Sequence, residues 1–138
     1  MATLDKKDLK ILVVDDNEDL RNLLTIQLKK MGFENLHTAI DGQEAYNNCI
    51  SKLNSKEPFD AIISDMRMPK MTGLEFLKKI RENIHVSDTP FMIVTGHGDK
   101  EHVKEAITLK VDQFITRPYQ EDMLEDKVMN LLGVKKSS

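Results

Sequence analysis

The 138-residue chain contains, near its N-terminus, the stretch Ile11-Leu12-Val13-Val14-Asp15-Asp16. An unbroken apolar run rich in Val and Ile suits a strand that is covered on both faces, as strands of parallel sheets are. The two aspartates follow where this strand is expected to end. Because ligands of open parallel sheets bind beyond the carboxyl ends of the strands, the stretch predicts a buried strand that brings two carboxylates to a binding edge.

Further apolar runs alternate with segments of helical period along the rest of the chain. The runs are Leu36 to Ile40, Phe59 to Ser64, Phe91 to Val94 and Gln113 to Thr116. The helical segments cover about 20–31, 43–53, 74–80, 103–110 and 123–132, and Thr72 is a candidate cap for the third. Five strands alternating with five helices predict one α/β domain of parallel β-α units with right-handed crossovers.

Composition excludes several classes of protein. The chain has 20 basic and 23 acidic residues, a net charge of −3, which argues against a general nucleic-acid binder. Its single cysteine, Cys49, allows no internal disulfide and favours a reducing compartment. The sequence has no signal peptide pattern and no apolar run long enough to span a membrane. We therefore expect a cytoplasmic protein that makes no direct nucleic-acid contact and has no membrane span.

Charged and hydroxyl side chains follow four of the five apolar runs. They are Asp15 and Asp16, then Asp65, Thr95 and Arg117. Three carboxylates at one edge repel one another, and a divalent cation relieves this repulsion. Hard oxygen ligands suit Mg²⁺, and the scattered histidines offer no competing zinc site. The pattern predicts a magnesium centre.

A metal ion beside a cationic side chain can also hold a phosphoryl group. Both charges neutralise the phosphoryl oxygens, a hydroxyl donates to them, and one carboxylate can act as the nucleophile. Asp65 is the best candidate nucleophile, because it stands alone at a central strand end while Asp15 and Asp16 form a pair suited to the metal. Taken alone, the acid pair is more simply interpreted as a helix cap, Thr95 as another cap and Arg117 as a surface charge.

The strand ends resemble the receiver domain of two-component response regulators, and in particular a single-domain receiver of the chemotaxis-regulator kind. The likeness runs from about Asp8 to Leu132 and rests on five segments in order: Val13-Val14-Asp15-Asp16-Asn17, Ser64-Asp65-Met66-Arg67-Met68-Pro69, Met71-Thr72-Gly73-Leu74, Val94-Thr95-Gly96 and Phe114-Ile115-Thr116-Arg117-Pro118. It implies a flavodoxin-like, doubly wound five-stranded parallel sheet of order 2-1-3-4-5 with five helices. It also implies a receiver domain over residues 8–132 with short extensions at 1–7 and 133–138.

The resemblance assigns roles to the site residues. It implies that Asp65 accepts phosphate from the histidine of a sensor histidine kinase or a phosphotransfer protein. Asp15 and Asp16 resemble the acid pair that holds Mg²⁺ together with Asp65, and the backbone carbonyl of Arg67 completes the set. Thr95 matches the hydroxyl residue that turns toward the phosphoryl group.

The resemblance also implies that phosphorylation changes the conformation of one surface of the domain, and that this change is the signal. Phe114 matches the aromatic switch residue, which moves between exposed and buried positions, or stays in the core. The face formed by the fourth helix, fifth strand and fifth helix then binds an effector protein or a second copy of the chain. Such a domain is not an enzyme in the ordinary sense, although it catalyses its own phosphorylation and dephosphorylation. The receiver-like segment fills most of the 138 residues, so if the chain is complete we expect its output to be a partner protein, and if it is a piece of a longer regulator the output lies in another domain.

Two positions depart from the family pattern. Arg117 stands where the family has lysine, so a planar fork replaces a compact point charge. Arg117 either bridges phosphate and the acid pair or weakens the coupling between phosphorylation and switching, and we expect the Arg117-Pro118 bond to be cis. Lys110 stands where a small residue usually ends the fourth helix, which predicts a positive φ at Lys110, at a cost of about 1 kcal/mol, or a remodelled turn.

Arg67 and His97 occupy the positions two residues past Asp65 and Thr95, which modulate loss of phosphate in this family. Both side chains are large, and we expect them to shield the acyl phosphate.

Three alternatives compete with the phosphorylation switch. A pseudo-receiver that binds partners without phosphate is suggested by Arg117. An aspartyl-phosphate hydrolase is disfavoured, because Arg67 stands where a second acid is needed. A flavin-binding protein is disfavoured by the acidic loop after the first strand.

Overall fold

The computed structural model describes residues 5–96 and 100–134. A short 3-10 helix at Lys6–Asp8 precedes five strands and five helices in strict alternation. They are β1 (Ile11–Val14), α1 (Glu18–Lys30), β2 (Leu36–Ala39), α2 (Gly42–Asn54), β3 (Ala61–Asp65), α3 (Gly73–Glu82), β4 (Phe91–Thr95), α4 (Lys100–Thr108), β5 (Gln113–Thr116) and α5 (Glu121–Leu132). None of the described helices combines the length and the hydropathy that crossing a membrane requires.

The five strands form one parallel sheet in the order β2-β1-β3-β4-β5, as the resemblance implied. β1 pairs with both β2 and β3, so its last residue, Val14, lies beside Ala39 on one side and Ser64 on the other. On the far side of β3, Asp65 pairs with Val94. The carboxyl ends of β1, β3 and β4 therefore meet at one edge of the sheet.

Helices cover both faces of the sheet, and successive residues of β1 point into separate cores. Leu12 and Val14 pack with side chains of α2, α3 and α4, whereas Ile11 and Val13 pack with side chains of α1 and α5. All of β1 is buried because side chains of a strand alternate between the two faces. The prediction of strands buried on both sides is confirmed for β1, β3 and β4.

Side-chain caps fix the start of three helices beside the site. Asn17, Asp41 and Thr72 each accept a hydrogen bond from a backbone N–H in the first turn of α1, α2 and α3. Thr72 is the predicted cap, and it forms a capping box with Glu75, in which each side chain accepts from the other residue's backbone N–H at 3.1 Å. In contrast, Gln120 at the start of α5 makes no side-chain cap.

The end of α4 has the predicted backbone conformation, with φ 65° at Lys110. Arg81 supports this turn from the end of α3, because its Nε and Nη2 both donate to the Lys110 carbonyl oxygen, at 3.1 and 2.9 Å. Nη1 of Arg81 donates to the carbonyls of Ser87 and Thr89, and Nη2 also donates to Asp112. Arg81, in α3, thereby holds the two connecting segments that precede β4 and β5, at the edge of the sheet opposite the acid cluster.

Candidate metal and phosphoryl site

Asp15, Asp16 and Asp65 lie together at the carboxyl edge of the sheet. Asp15 and Asp16 follow β1, and Asp65 ends the neighbouring strand β3. One carboxylate oxygen from each lies within 4.8 Å of the other two. Asp15 is almost fully buried, Asp65 is half-buried and Asp16 is exposed, so the cluster opens to solvent on the Asp16 side. The structure thus brings together the three carboxylates that the sequence singled out.

The oxygens of Asp15 all have hydrogen-bond donors. Its Oδ1 accepts from the backbone N–H of Asn17 at 2.9 Å, and its Oδ2 accepts from Nη2 of Arg117 at 3.0 Å. Its carbonyl oxygen accepts from Nη1 of Arg21 at 2.8 Å. Asp15 is therefore oriented by its neighbours and does not cap α1, which is capped by Asn17.

Arg117 bridges two of the three carboxylates. Its side chain leaves the sheet just after β5, and its Nη1 lies 3.6 Å from Oδ1 of Asp65 while its Nη2 binds Asp15. A guanidinium can contact two acceptors at once because its N–H groups diverge in one plane. The backbone N–H of Arg117 donates to the carbonyl of Thr95 at 2.7 Å, and its bond to Pro118 is cis, as predicted.

Burial and mutual repulsion change the acidity of the cluster. Burial, followed by the charge of Asp15, raises the pKa of Asp65 from 3.8 to about 6, against the opposing effect of Arg117. Burial also raises the pKa of Asp15, although the N–H of Asn17 and the charge of Arg117 act in the other direction. Asp65 is therefore ionised at neutral pH but holds its proton more tightly than an ordinary aspartate.

The donor set fits a hard divalent cation. Three carboxylates within 4.8 Å of one another concentrate more negative charge than the neighbouring Arg117 neutralises. Oxygen ligands in such a cluster are those that Mg²⁺ prefers. The repulsion between these acids contributes to the raised pKa of Asp65. A bound cation would offset this repulsion and lower the pKa of the clustered acids.

The loop between β3 and α3 is held close to Asp65 by a glycine. Gly73 donates its N–H to the carbonyl of Met66 at 2.8 Å, and a Cβ at this position would collide with the carbonyl oxygen of Asp65. Only glycine permits this approach of helix to strand end. The loop carries Arg67, whose side chain is exposed and whose carbonyl the resemblance assigns to the metal.

The two predicted switch residues lie on adjacent strands. Thr95 ends β4 and is 2% exposed, and it pairs with Thr116 of β5. Phe114 lies in β5, where it is half-buried against the core cluster that includes Ala106 of α4. This arrangement is compatible with both alternatives for Phe114, and the switch roles of both residues stay predictions. His97, the second predicted modulator, lies outside the described residues.

Sequence reasoning missed two contacts near the site. Arg21 was not singled out, because it binds the backbone carbonyl of Asp15, six residues earlier and outside α1, and no side-chain spacing marks such a contact. The hydrogen bond between Tyr119 and Gln27 joins residues 92 positions apart and left no local signal. Both contacts concern the segments that carry Asp15 and Arg117.

Comparison with known proteins agrees with the fold. The chain is 31% identical over 125 residues to chemotaxis protein CheY1 of Helicobacter pylori, covering 91% of this chain and 98% of that protein. It is 33% identical to a CheY homologue of Campylobacter jejuni, with 91% and 93% covered. The solved structure of Vibrio cholerae CheY4 superposes with a TM-score of 0.78 at 31% identity, over 90% and 98% of the two chains. The response regulator receiver domain model matches residues 11–129, so the chain belongs to the family of response regulator receiver domains.

Proposed function

We propose that this chain is a phosphorylation-dependent switch in which Asp65 accepts the phosphoryl group. Receiver domains are regulatory modules of two-component signalling, and phosphorylation is their general switch. The observation that carries the proposal for this chain is the cluster of Asp15, Asp16 and Asp65 with Arg117 across it. Asp65 is the nucleophile because it stands in the centre of the sheet edge, is half-buried, and is ionised at neutral pH.

We further propose that Mg²⁺ is the cofactor. Asp15, Asp16, Asp65 and the carbonyl of Arg67 would hold it, and it would supply charge neutralisation for the phosphoryl oxygens. Arg117 would donate to the same oxygens, since it already reaches Asp65. Attack of a carboxylate oxygen of Asp65 on phosphorus forms the acyl phosphate, and the bond to the leaving nitrogen of the donor histidine breaks.

The donor would be a sensor histidine kinase or a phosphotransfer protein. The output would be transmitted by Thr95 and Phe114, whose strands adjoin, to the surface of α4, β5 and α5, where an effector or a second copy binds. Phosphorylation shifts the equilibrium between an inactive and an active arrangement of this surface only as far as it favours the active one. We place the receiver domain at residues 8–132, with Arg67 and His97 as modulators of phosphate loss, and the site of action in the cytoplasm.

A second candidate function is a pseudo-receiver that binds partners without phosphate. The observation that favours it is the guanidinium of Arg117, which binds Asp15 and contacts Asp65 at once and so neutralises two carboxylates without a metal. The presence of all three acids together favours the phosphorylated switch. Each function predicts a different result with a small phosphodonor.

The test is incubation with acetyl phosphate and Mg²⁺, followed by intact mass measurement. We expect one phosphoryl adduct in the presence of Mg²⁺, and none when the incubation contains a chelator in place of Mg²⁺. Asp65→Asn is the control, and it should form no adduct. Binding of beryllofluoride, which imitates the phosphoryl group on a carboxylate, gives an equilibrium readout. No adduct and no magnesium-dependent beryllofluoride binding would contradict the phosphorylated switch and favour the pseudo-receiver.

A further inference from the structure

The segment that follows β5 has an anchor on α1. Residues 117–120 connect β5 to α5, and the backbone N–H of Arg117 secures their beginning to Thr95 at 2.7 Å. At the other end, Gln120 makes no side-chain cap on α5, whereas α1, α2 and α3 all have one. The position of this connection therefore depends on contacts made between its two ends.

Tyr119 supplies such a contact. Its hydroxyl donates to Oε1 of Gln27 at 2.8 Å, and burial raises the pKa of Tyr119, so the hydroxyl stays protonated and remains a donor. Gln27 is 7% exposed and lies on the inner face of α1. Its Nε2 donates in turn to Glu121 at 3.5 Å, at the start of α5. A buried amide with both ends bonded holds one orientation, because leaving either end unpaired is costly.

The side chain of Arg117 shares its surroundings with this pair. A groove of about 280 Å³ lies between α1 and the connection, and Leu20, Leu24, Gln27, Arg117 and Tyr119 are among its lining residues. Arg117 leaves this groove to reach Asp15 and Asp65. Because Tyr119 is only two residues further along the chain than Arg117, a displacement of Tyr119 from α1 would have only a short length of backbone to cross before it reached the base of the arginine side chain.

We propose that Tyr119 and Gln27 are positioning residues that aim the Arg117 guanidinium at the phosphoryl site on Asp65. The inference rests on the proposed function for its consequence, but the geometric link can be measured without phosphate. A planar guanidinium needs more accurate orientation than a compact ammonium, because its N–H groups point in fixed directions. Arginine at position 117 therefore depends on a hydrogen-bonded anchor in the connection that carries it.

The decisive variant is Tyr119→Phe, which removes only the hydroxyl. Tyr46→Phe is the matched control, since the Tyr46 hydroxyl accepts from Asn83 at 2.9 Å between α2 and α3, on the other face of the sheet. We expect Tyr119→Phe to weaken magnesium-dependent beryllofluoride binding about fivefold, the effect of one hydrogen bond, and Tyr46→Phe to leave it unchanged. The same Tyr119→Phe change in an Arg117→Gln background should have no further effect, because its influence passes through the arginine.

Direct evidence for orientation comes from proton exchange of the Arg117 guanidinium, measured by nuclear magnetic resonance without metal or phosphate. The chain has only four arginines, so Arg117→Lys assigns the signal. We expect exchange to become about fivefold faster in Tyr119→Phe and not in Tyr46→Phe. Equal weakening of beryllofluoride binding in both Arg117 backgrounds, or unchanged exchange, would overturn the positioning role. If the wild type binds no beryllofluoride, the proposed function fails, and the exchange comparison still decides the link.

Discussion

Nη2 of Arg117 lies 3.0 Å from Oδ2 of Asp15, although the two residues are 102 positions apart in the sequence. The ion pair is largely buried, with the Asp15 side chain 3% exposed and the Arg117 side chain 21% exposed. In such surroundings the charges are screened less than on the surface. This contact puts a permanent cation at the edge of a site that has the ligands for a second one.

Neutralising this cation should separate metal binding from phosphoryl binding. In Arg117→Gln we expect Mg²⁺ alone to bind at least about fivefold more tightly, because a nearby positive charge is lost. Beryllofluoride at saturating Mg²⁺ should bind at least about tenfold more weakly, because a charge-assisted donor is lost. Titration calorimetry measures both. Arg117→Lys, which keeps the charge, should show a smaller change in Mg²⁺ affinity, and equal changes in the two variants would contradict this account.

The raised pKa of Asp65 predicts a pH-dependent gain in stability for Asp65→Asn. The folded state raises this pKa from 3.8 to about 6. The favourable contribution of protonated Asp65 to the free energy of unfolding is therefore fully present below about pH 4 and is lost as the pH rises through 6. At about pH 8 the variant should therefore have a free energy of unfolding about 1 to 3 kcal/mol higher than the wild type. Urea denaturation across this range should show the difference shrinking toward zero near about pH 4.

A second aspartate serves as the control for that experiment. Asp88 is exposed in the loop between α3 and β4, and Asp88→Asn should change the free energy of unfolding by less than about 0.5 kcal/mol. Added Mg²⁺ should stabilise the wild type more than Asp65→Asn, because a ligand that binds only the folded state stabilises it more the more tightly it binds. A difference between wild type and Asp65→Asn that does not vary with pH would show that ionisation of Asp65 is not its cause.

Gly73→Ala tests the close approach between α3 and the end of β3. The added Cβ would lie against the carbonyl oxygen of Asp65 and 2.9 Å from the Cα of Met66, both of them backbone atoms that cannot rotate away. We expect a loss of at least about 2 kcal/mol in the free energy of unfolding. Gly133→Ala is the control, because its Cβ meets no described atom within 4 Å and only its φ of 67° opposes alanine, at about 1 kcal/mol. Urea denaturation measures both, and equal losses would refute the collision.

Lys110→Gly should stabilise the protein. Lys110 has a φ of 65°, a conformation that costs a residue with a Cβ but not glycine, and its side chain is exposed. The carbonyl that Arg81 binds is unchanged by the substitution. We expect a gain of about 0.5 to 1 kcal/mol in thermal or urea unfolding. The same change at the exposed residue Lys104, inside α4, should instead cost about 1 kcal/mol, and a loss at both positions would contradict the role of the backbone angle.

Local patterns were sufficient for the secondary structure and for the three acids. β1 and β5 have the predicted bounds, because apolar runs with charged or turn-forming neighbours show where strands begin and end. Thr72 was predicted as a cap from its position before a helical repeat, and its reciprocal bonds with Glu75 confirm it. The observed α2, Gly42–Asn54, extends one residue beyond the prediction at each end, and helix ends are where sequence patterns are weakest.

The sequence by itself determined which side chains reach the carboxyl edge of the sheet, because the carboxyl ends of parallel strands must lie together and four of the five strands carry an acid, a hydroxyl or a cation at that end. The tertiary structure decided how these side chains are aimed. The bridge from Arg117 to Asp15 and Asp65, the support of Asp15 by Arg21 and the anchor of Tyr119 on Gln27 join separate elements. Such contacts depend on packing distances and side-chain directions, which no local pattern contains.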